Sequence, residues 1–489
     1  MADKSLDKKV LNATKWSTST QIAARIITPI MNMILARILV PEAFGVIATI
    51  TMIISFTEMF TDSGFQKYLV QHEFKSEKEK IKSANVAFWT NFSLAIFLWT
   101  VISLFSDQIA IIVGNPGLGL VIIVACAQLP LTSFSSTQMA LYRRSFDFKT
   151  LFIVRVIGIF IPLIVTIPLA LIGFNYWSLI IGNICMQIFN AVFLTVKSPW
   201  KPEFYYNFTT LKNMLSFSIW SLVEDISIWL TVWVDAFIIG YYLNEYYLGI
   251  YRTSTTMVNA LLSLITASIV PVMFAALSRL QHNHDKFKEM YFQFQKYVAI
   301  LVLPIGIGVY LYSDLATSIM LGDQWTEASE VIGLWALTSS IMIVFGHFAS
   351  EAYRSKGKPK LSFIAQVLHL IVLVPTCIIA ASYGFWELVY ARSFIRLQFV
   401  LVHIIILKVA IEIGIWETLK NIIPSLFTAI IMGVFATVLK TVSTETIWSL
   451  LSILLSIIFY FGILMLFPNM RADLLGLYKR IVPSKRNGS

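Results

Sequence analysis

The chain has 489 residues, of which 57% are hydrophobic and 13% are charged, and its mean hydropathy is +0.76. A soluble domain usually carries about a quarter charged residues, so this composition excludes an ordinary soluble protein. The net charge of +10 is typical of a nucleic-acid-binding protein only when the protein is soluble. Here we attribute it to basic loops on one side of a membrane and expect no nucleic-acid partner.

Apolar stretches near the length needed to cross about 30 Å of hydrocarbon recur along the whole sequence. Such stretches exclude a β-barrel, whose strands alternate in polarity over about ten residues. We therefore predict an all-α, polytopic membrane protein with about fourteen transmembrane helices. The predicted spans are 13–39, 44–61, 84–105, 118–142, 151–172, 176–196, 214–240, 251–277, 292–312, 328–348, 361–382, 388–409, 415–439 and 447–467.

Basic residues are concentrated in alternate loops, and one alternating assignment places every basic loop on the same side of the membrane. The positive-inside rule identifies that side as cytoplasmic, which predicts cytoplasmic N- and C-termini. The N-terminal segment lacks the short apolar core and cleavage site of a signal peptide. The three cysteines lie within apolar stretches, and we predict no disulfide, no metal site and no cofactor.

An internal repeat is visible in the segments 142–174 and 353–385, which match at one constant offset. Each begins with a Tyr-Arg pair and ends with a Gly-Phe pair. More weakly, LVPEAFGVI in the first turn resembles LNEYYLGIY further along. An even number of spans separates the copies, so the repeat is parallel, as in transporters whose substrate path lies between two halves. We predict a six-helix half over 1–200, a cytoplasmic linker over 201–212, a second six-helix half over 213–410, an extra helix pair over 411–467 and a basic cytoplasmic tail over 468–489.

Five arginines lie within or at the edges of predicted spans, where a charge costs a few kcal/mol unless it faces protein or water. They are Arg25, Arg155, Arg252, Arg392 and Arg396. Arginines facing one cavity would bind phosphate or pyrophosphate, because the planar guanidinium matches two phosphate oxygens. Ion pairing and snorkelling to the interface are the alternatives, and they explain Arg155 and Arg252 equally well. The mid-span position of Arg25 favours binding.

Five carboxylates occupy comparable positions: Glu58, Asp62, Glu224, Asp225 and Asp235. A membrane carboxylate holds Na⁺, carries a proton or neutralises a nearby arginine, and the sequence leaves these roles open. The chain has no P-loop, HExxH or GxSxG motif. Its six histidines are scattered along the sequence, and the outer loops are too short for a catalytic domain. We therefore predict a transporter and not an enzyme.

The stretch ARILVPEAFGVIATITMIISFTEMFTDSGFQKYLVQ resembles the start of bacterial polysaccharide flippases of the Wzx type. The matching residues are Ala36, Arg37, Leu39, Pro41, Phe44 and Gly45, followed by Asp62, Gly64, Phe65, Leu69 and Gln71. The resemblance is greatest to the subgroup associated with colanic acid and teichuronic acid. These flippases belong to the multidrug/oligosaccharidyl-lipid/polysaccharide exporter superfamily.

The resemblance implies translocation of an undecaprenyl-pyrophosphate-linked oligosaccharide from the cytoplasmic to the outer leaflet by alternating access. It also implies a bacterial inner-membrane location, and a polysaccharide polymerase and other export machinery as partners. Related lipid flippases use arginines of the first and eighth helices in a cationic cavity, and Arg25 and Arg252 occupy comparable places. In the superfamily, membrane carboxylates are proposed to carry Na⁺ or H⁺ coupling, which makes the five carboxylates candidates for that role.

Three other functions stay open at this point. A drug or cation exporter of the same superfamily would need an acidic cavity, which the arginines in the spans argue against. A membrane polysaccharide polymerase or ligase would need a large outer loop with catalytic residues. A scaffolding membrane protein would not need five arginines in or near its spans.

Overall fold

The computed structural model describes residues 2–62, 65–468 and 470–471, with side chains for all of these except 2–14, 62 and 216–224. The described residues form nineteen α-helices and no strand, which confirms the predicted all-α fold. The helices are α1 (Ala2–Ala36), α2 (Pro41–Asp62), α3 (Phe65–Gln71), α4 (Glu77–Leu104), α5 (Ser106–Ile112), α6 (Gly119–Cys126), α7 (Gln128–Arg144), α8 (Phe148–Leu171), α9 (Tyr176–Lys197), α10 (Phe208–Tyr242), α11 (Glu245–Arg279), α12 (His284–Leu311), α13 (Ser313–Met320), α14 (Ala328–Met342), α15 (Phe348–Ser355), α16 (Lys360–Ala381), α17 (Phe385–Ile406), α18 (Ile415–Lys440) and α19 (Thr446–Leu466).

Twelve helical segments of the described chain are long and apolar enough to cross a membrane, which confirms a polytopic membrane protein. The helices α1 and α10, over which two further spans are predicted, are not among the twelve. The apolar part of α1 is diluted by Gln21, Arg25 and Asn32, and part of α10 lies outside the residues with described side chains. The count of about fourteen spans stays a prediction.

Four helices begin with a side-chain cap, each in a loop predicted to be cytoplasmic. The capping oxygen accepts a hydrogen bond from the backbone N–H three residues later, which satisfies a donor that the first helical turn leaves without a partner. The four pairs are Ser76 with Glu79 at 3.2 Å, Asp147 with Thr150 at 3.1 Å, Asn207 with Thr210 at 3.0 Å and Asn283 with Lys286 at 3.1 Å. The third cap starts α10 inside the segment predicted as a linker.

Several predicted spans are not continuous α-helices. The span predicted over 118–142 consists of α6 and α7, which are separated at Ala127. The span predicted over 328–348 contains a π-helical turn, Ile343–His347, and a second π-helical turn, Leu407–Ile411, follows α17. Gln295 of α12 donates to the Val344 carbonyl at 3.3 Å. Hydropathy does not reveal such breaks, because groups on neighbouring helices satisfy the backbone there.

The hairpins α7–α8 and α15–α16, which the repeat pairs with each other, share the same connecting turn. In each turn a backbone N–H donates to the carbonyl of the repeated tyrosine, Tyr142 at 3.0 Å and Tyr353 at 2.9 Å. Phe146 (φ 59°) and Gly357 (φ 70°) occupy the matching left-handed positions, as in helix C-terminal caps. The backbone therefore supports the predicted repeat over these hairpins.

The first turns of α2 and α11 cross at two glycines that match in the weaker repeat, Gly45 and Gly249. A Cβ on Gly45 would collide with the Glu245 carbonyl oxygen, and a Cβ on Gly249 would collide with the Pro41 carbonyl oxygen. Pro41 and Glu245 are also matching positions, so the two contacts exchange under the repeat. Only glycine allows the two backbones to approach so closely.

The chain divides into two compact units. The first comprises Met1–Thr253 and Leu370–Val389, and the second comprises Ser254–His369 and Tyr390–Ser489. In the first unit, α8 packs against α1 and α9, and α4 packs against α7. In the second unit, α12 packs against α14 and α18. The predicted basic tail beyond residue 471 lies outside the described residues.

Candidate functional site

Two arginines of α17 lie on one tryptophan of α14 in the second unit. Arg392 and Arg396 are one helical turn apart, and their guanidinium carbons lie 5.2 Å and 3.4 Å from the centroid of the Trp335 ring. Arg392 is 6% exposed and Trp335 is 4% exposed. The i, i+4 spacing in the sequence therefore produces one shared face, and a single ring organises it.

Polar groups of neighbouring helices hold this cluster in place. The Trp335 indole N–H donates to Asn259 Oδ1 of α11 at 3.1 Å, and the Arg396 guanidinium donates to the Ser339 hydroxyl. A guanidinium stacked on a ring keeps its N–H donors in its own plane, directed past the edge of the ring. The arrangement can therefore present two positioned cations to the oxygens of a phosphate or pyrophosphate.

The same face of α17 continues as a chain of aromatic and imidazole rings. Phe399 stacks on His369 of α16 with ring centroids 4.2 Å apart, and it lies 4.5 Å from His403. The Tyr353 hydroxyl donates to the His403 carbonyl at 2.8 Å, and His369 Nδ1 lies 2.9 Å from Gln398 Oε1. Sequence reasoning treated the histidines as scattered and missed this chain. The signal is the spacing 392, 396, 399 and 403, which follows one helix face.

Arg252 lies in the hairpin α10–α11 of the first unit. Its guanidinium carbon lies 3.9 Å from the centroid of the Trp233 ring, and Nη1 donates to the Val232 carbonyl at 3.2 Å. The neighbouring Tyr251 hydroxyl donates to Asp235 Oδ2 at 2.7 Å, and Asp235 is 2% exposed. The hairpin thus contains a stacked cation and a buried carboxylate, and sequence reasoning did not single out the tyrosine that binds the carboxylate.

Arg25 and Arg155 lie on helices that pack against each other, α1 and α8. The rings of Trp16 and Phe152 meet with centroids 5.0 Å apart. Counted along each helix from this contact, Arg25 lies about 13 Å away and Arg155 about 5 Å away, at 1.5 Å per residue. Arg25 is half-buried and Arg155 is exposed. The two arginines therefore lie on neighbouring helices at different heights.

The carboxylates Glu58 and Asp225 lie beside the packing contact between α2 and α10. The Trp229 indole N–H donates to Ser55 Oγ at 3.0 Å, and Lys67 Nζ lies 3.7 Å from Asp225 Oδ2. Residue numbers rise on the first segment where they fall on α10, so the helices run antiparallel. Glu58 and Asp225 each lie about one turn from the Ser55–Trp229 contact, on the same side of it.

The remaining predicted carboxylates, Asp62 and Glu224, have side chains outside the described residues. The structure locates the five arginines and the other three carboxylates. Substrate binding by the arginines and ion coupling by the carboxylates stay predictions.

An apolar cavity of about 440 Å³ lies in the second unit, between α12, α13, α18 and α19. Side chains such as Ile305, Leu315, Ile453 and Phe461 line it. Two helices of its wall belong to the pair that follows the predicted second half. The cavity has the lining and size of a site for an apolar chain.

The family model described as "Polysaccharide biosynthesis protein" matches residues 34–330, which is more than half of the chain. The chain belongs to this family. The match includes the first-turn motif, the glycine crossing and the hairpin that contains Arg252. It confirms the resemblance to polysaccharide exporters that the first two predicted spans indicate.

Relatives of the chain support the same assignment. The succinoglycan biosynthesis transport protein ExoT of Rhizobium meliloti (strain 1021) is 23% identical over 337 residues, which are 68% of this chain and 67% of that protein. The lipopolysaccharide biosynthesis protein WzxC of Escherichia coli (strain K12) is 19% identical over 384 residues, 77% of this chain and 76% of that protein. The teichuronic acid biosynthesis protein TuaB of Bacillus subtilis (strain 168) is 19% identical over 364 residues, 73% of this chain and 74% of that protein. The prediction of a transport protein of polysaccharide biosynthesis is confirmed.

Solved structures share the fold. The lipid II flippase MurJ in an inward closed conformation superposes with a TM-score of 0.76 at 16% identity, covering 94% of this chain and 100% of that chain. A multidrug resistance MATE family transporter in an inward-facing conformation superposes with a TM-score of 0.64 at 13% identity, covering 80% of this chain and 94% of that chain. The predicted superfamily is confirmed. At these identities the likeness concerns the fold alone.

Proposed function

We propose that this protein is a flippase that moves undecaprenyl-pyrophosphate-linked oligosaccharide units from the cytoplasmic to the outer leaflet of the bacterial inner membrane. Alternating access of the two halves exposes the substrate to each side in turn. The oligosaccharide then serves polysaccharide biosynthesis, with a polysaccharide polymerase and other export machinery as partners. The N- and C-termini lie in the cytoplasm.

The observation that carries this proposal is the stacked pair Arg392 and Arg396, within a family whose description is polysaccharide biosynthesis. A pyrophosphate cannot enter hydrocarbon unaided, because burying its charge costs many kcal/mol. Two stacked guanidinium groups replace hydration with charge-assisted hydrogen bonds. The names of ExoT, WzxC and TuaB and the fold shared with a lipid II flippase support the same substrate class.

Arg25, Arg155 and Arg252 extend the proposed anion path. Arg25 is half-buried on α1, and Arg252 is held by the Trp233 ring. We assign Arg25 to the pyrophosphate in the inward-open state. The apolar cavity beside α18 and α19 suits the prenyl chain of the same substrate, because its lining is almost wholly apolar. The sugars would then travel in water while the lipid chain stays in apolar surroundings.

Coupling to Na⁺ or H⁺ is assigned to the carboxylates Glu58, Asp62, Glu224, Asp225 and Asp235. Asp235 has the strongest case, since it is buried and bound by the Tyr251 hydroxyl. Asp225 is engaged by Lys67 in a partly exposed ion pair, which contributes little to stability. A drug or cation exporter is not favoured, because the relatives are named for polysaccharide biosynthesis.

The test is translocation of a fluorescent undecaprenyl-pyrophosphate-linked oligosaccharide by the purified full-length protein in proteoliposomes, with and without a Na⁺ or pH gradient. We expect Arg392→Ala and Arg396→Ala to lower the initial rate about tenfold or more, since each removes charge-assisted hydrogen bonds to phosphate. Arg279→Gln, at the exposed end of α11, changes the net charge equally and should have no effect. Unchanged rates in both arginine variants would reject the proposed site, and a wild-type protein without activity would reject the proposed function.

A further inference from the structure

A second polar cavity lies at the loop side of the first unit, away from the arginines discussed above. It has a volume of about 950 Å³ and lies between α3, the start of α4, the segment before α10 and the first turns of α10. Three lysines line it, Lys75, Lys78 and Lys82, together with aromatic residues that include Tyr68 and Tyr205. We call it the lysine cavity.

The charge of the lysine cavity is unbalanced. Glu79 is the one carboxylate in its lining, and its Oε2 already accepts the Lys75 backbone N–H at 2.7 Å. Across the described part of the chain, no carboxylate lies within ion-pair distance of the three lysine ammonium groups. The Lys82 ammonium instead lies 5.0 Å from the centroid of the Tyr205 ring. A ligand with anionic oxygens would complete these partners.

The adjacent lysine of α4 behaves differently. Lys80 forms an ion pair with Glu77, three residues earlier on the same helix, and it lies outside the lining of the lysine cavity. The loop therefore neutralises a lysine that faces elsewhere and leaves those that face the cavity without a carboxylate. This difference separates the cavity from a generally basic loop.

The wall of the cavity is held before any ligand arrives. The Arg144 guanidinium donates to the carbonyls of Leu69, Val70 and His72 at 2.9, 3.2 and 2.7 Å, which fastens the end of α3. The His72 ring stacks on Tyr68 with centroids 4.5 Å apart. Burial raises the pKa of the Tyr68 phenol, and the Glu79 carboxylate raises it further, so its hydroxyl stays a donor. A fixed wall lowers the entropy that a ligand must lose.

The mouth of the cavity lies at the surface of the membrane. The spanning helix α4 begins at Glu77, directly beside the cavity. Two phenylalanines of the neighbouring segment, Phe204 and Phe208, are 93% and 78% exposed, and Phe204 stacks on Trp89 at 4.5 Å. Exposed aromatic rings beside lysines are typical of segments that lie in the lipid headgroup region. The positive-inside rule predicts that this is the cytoplasmic leaflet.

We propose that the lysine cavity binds the phosphate group of a lipid of the cytoplasmic leaflet. An anionic phospholipid headgroup and the pyrophosphate of the prenyl-linked substrate both supply this chemistry. Binding of the latter would load the substrate before translocation and would rest on the proposed function. Binding of a phospholipid does not rest on it.

The experiment measures lipid binding to the purified full-length protein by native mass spectrometry. The probes are dioleoylphosphatidylglycerol, undecaprenyl pyrophosphate and, as a lipid without phosphate, dioleoylglycerol. The cavity variant is Lys78→Gln with Lys82→Gln, and the control variant of equal net charge is Lys80→Gln with Lys212→Gln. We expect the cavity variant to weaken binding of a phosphate lipid about thirtyfold, from the usual contribution of a lysine near an anionic surface. The control should change binding less than about threefold.

Arginine at positions 78 and 82 should restore binding and shows that the glutamine variant lost charge and not its fold. Loss of either phosphate lipid in the cavity variant alone supports the proposal, and the lipid affected identifies the source. Equal losses in the cavity and control variants, or equal binding of dioleoylglycerol, would overturn it. Since no translocation is measured, a protein that binds lipid phosphate and moves no oligosaccharide would reject the proposed function and leave this inference standing.

Discussion

The two copies of the repeated hairpin have the same backbone turn and bury different groups. In the second copy the Tyr353 hydroxyl donates to the His403 carbonyl at 2.8 Å. In the first copy the Tyr142 hydroxyl is buried and has no hydrogen-bond partner among the described residues, and the same is true of the nearby Trp200 indole nitrogen. At the constant offset, His403 corresponds to Val192 of α9. The polar partner therefore exists in one copy only.

The same offset places Ile181 and Cys185 where the second copy has Arg392 and Arg396. The backbone repeat thus extends across both copies, whereas the charged and imidazole face belongs to the second. A repeated backbone provides matched hairpins that can move against each other. The binding chemistry is set by side chains that the repeat does not copy.

The largest expected effect concerns the contact between the two copies of the first-turn motif. We expect Gly45→Ala and Gly249→Ala to destabilise the protein by about 3 kcal/mol or more, because each methyl group would overlap a backbone carbonyl that cannot move independently. The measurement is the free energy of unfolding in detergent. Gly462→Ala in α19, where nothing lies within 4 Å of the new methyl group, should stabilise by up to about 1 kcal/mol. Equal behaviour of the three variants would contradict the crossing.

The next effect tests whether the second copy carries the binding chemistry. Arg396→Lys keeps the charge and loses both the planar stack on Trp335 and the guanidinium fork. We expect translocation to fall about tenfold. Cys185→Ala changes the corresponding position of the first copy and should leave the rate unchanged. A lysine variant with the wild-type rate would show that charge alone suffices at this position.

A smaller effect separates the two repeated tyrosines. Tyr353→Phe removes the donor to the His403 carbonyl, and we expect the free energy of unfolding to fall by about 1 to 2 kcal/mol. Tyr142→Phe removes a hydroxyl without a described partner, so its effect should stay within about 0.5 kcal/mol or be stabilising. The reverse order of the two variants would mean that the Tyr142 hydroxyl has the more valuable partner.

The smallest effect concerns the left-handed residue of the repeated turn. Gly357→Ala places a Cβ at φ 70° and should destabilise by about 1 kcal/mol. Phe146→Gly relieves the same strain at φ 59° and should change the free energy of unfolding by a few tenths of a kcal/mol, since the gain is offset by the freedom of glycine in the unfolded chain. Thermal unfolding of the two variants measures the difference, and a stabilising Gly357→Ala would contradict the assigned turn.

Much of the fold could be predicted because hydropathy is a local property. Twenty apolar residues in a row identify a spanning helix whatever their neighbours are, and the Tyr-Arg and Gly-Phe pairs locate the repeated turns. The same local reading placed Arg392 and Arg396 on one face. It could not identify Trp335 or Asn259 as their partners, because these residues lie on other helices more than fifty positions away.

The sequence by itself determined that the chain is a helical membrane protein, which residues lie within spans, and which family it belongs to. The tertiary structure alone decided which charges share an aromatic partner, where glycine backbones cross, and that two distant histidines join one chain of rings. The physical reason is that the membrane selects for apolar length along the chain. The cost of a buried charge depends instead on the side chains packed against it, and only the fold brings those together.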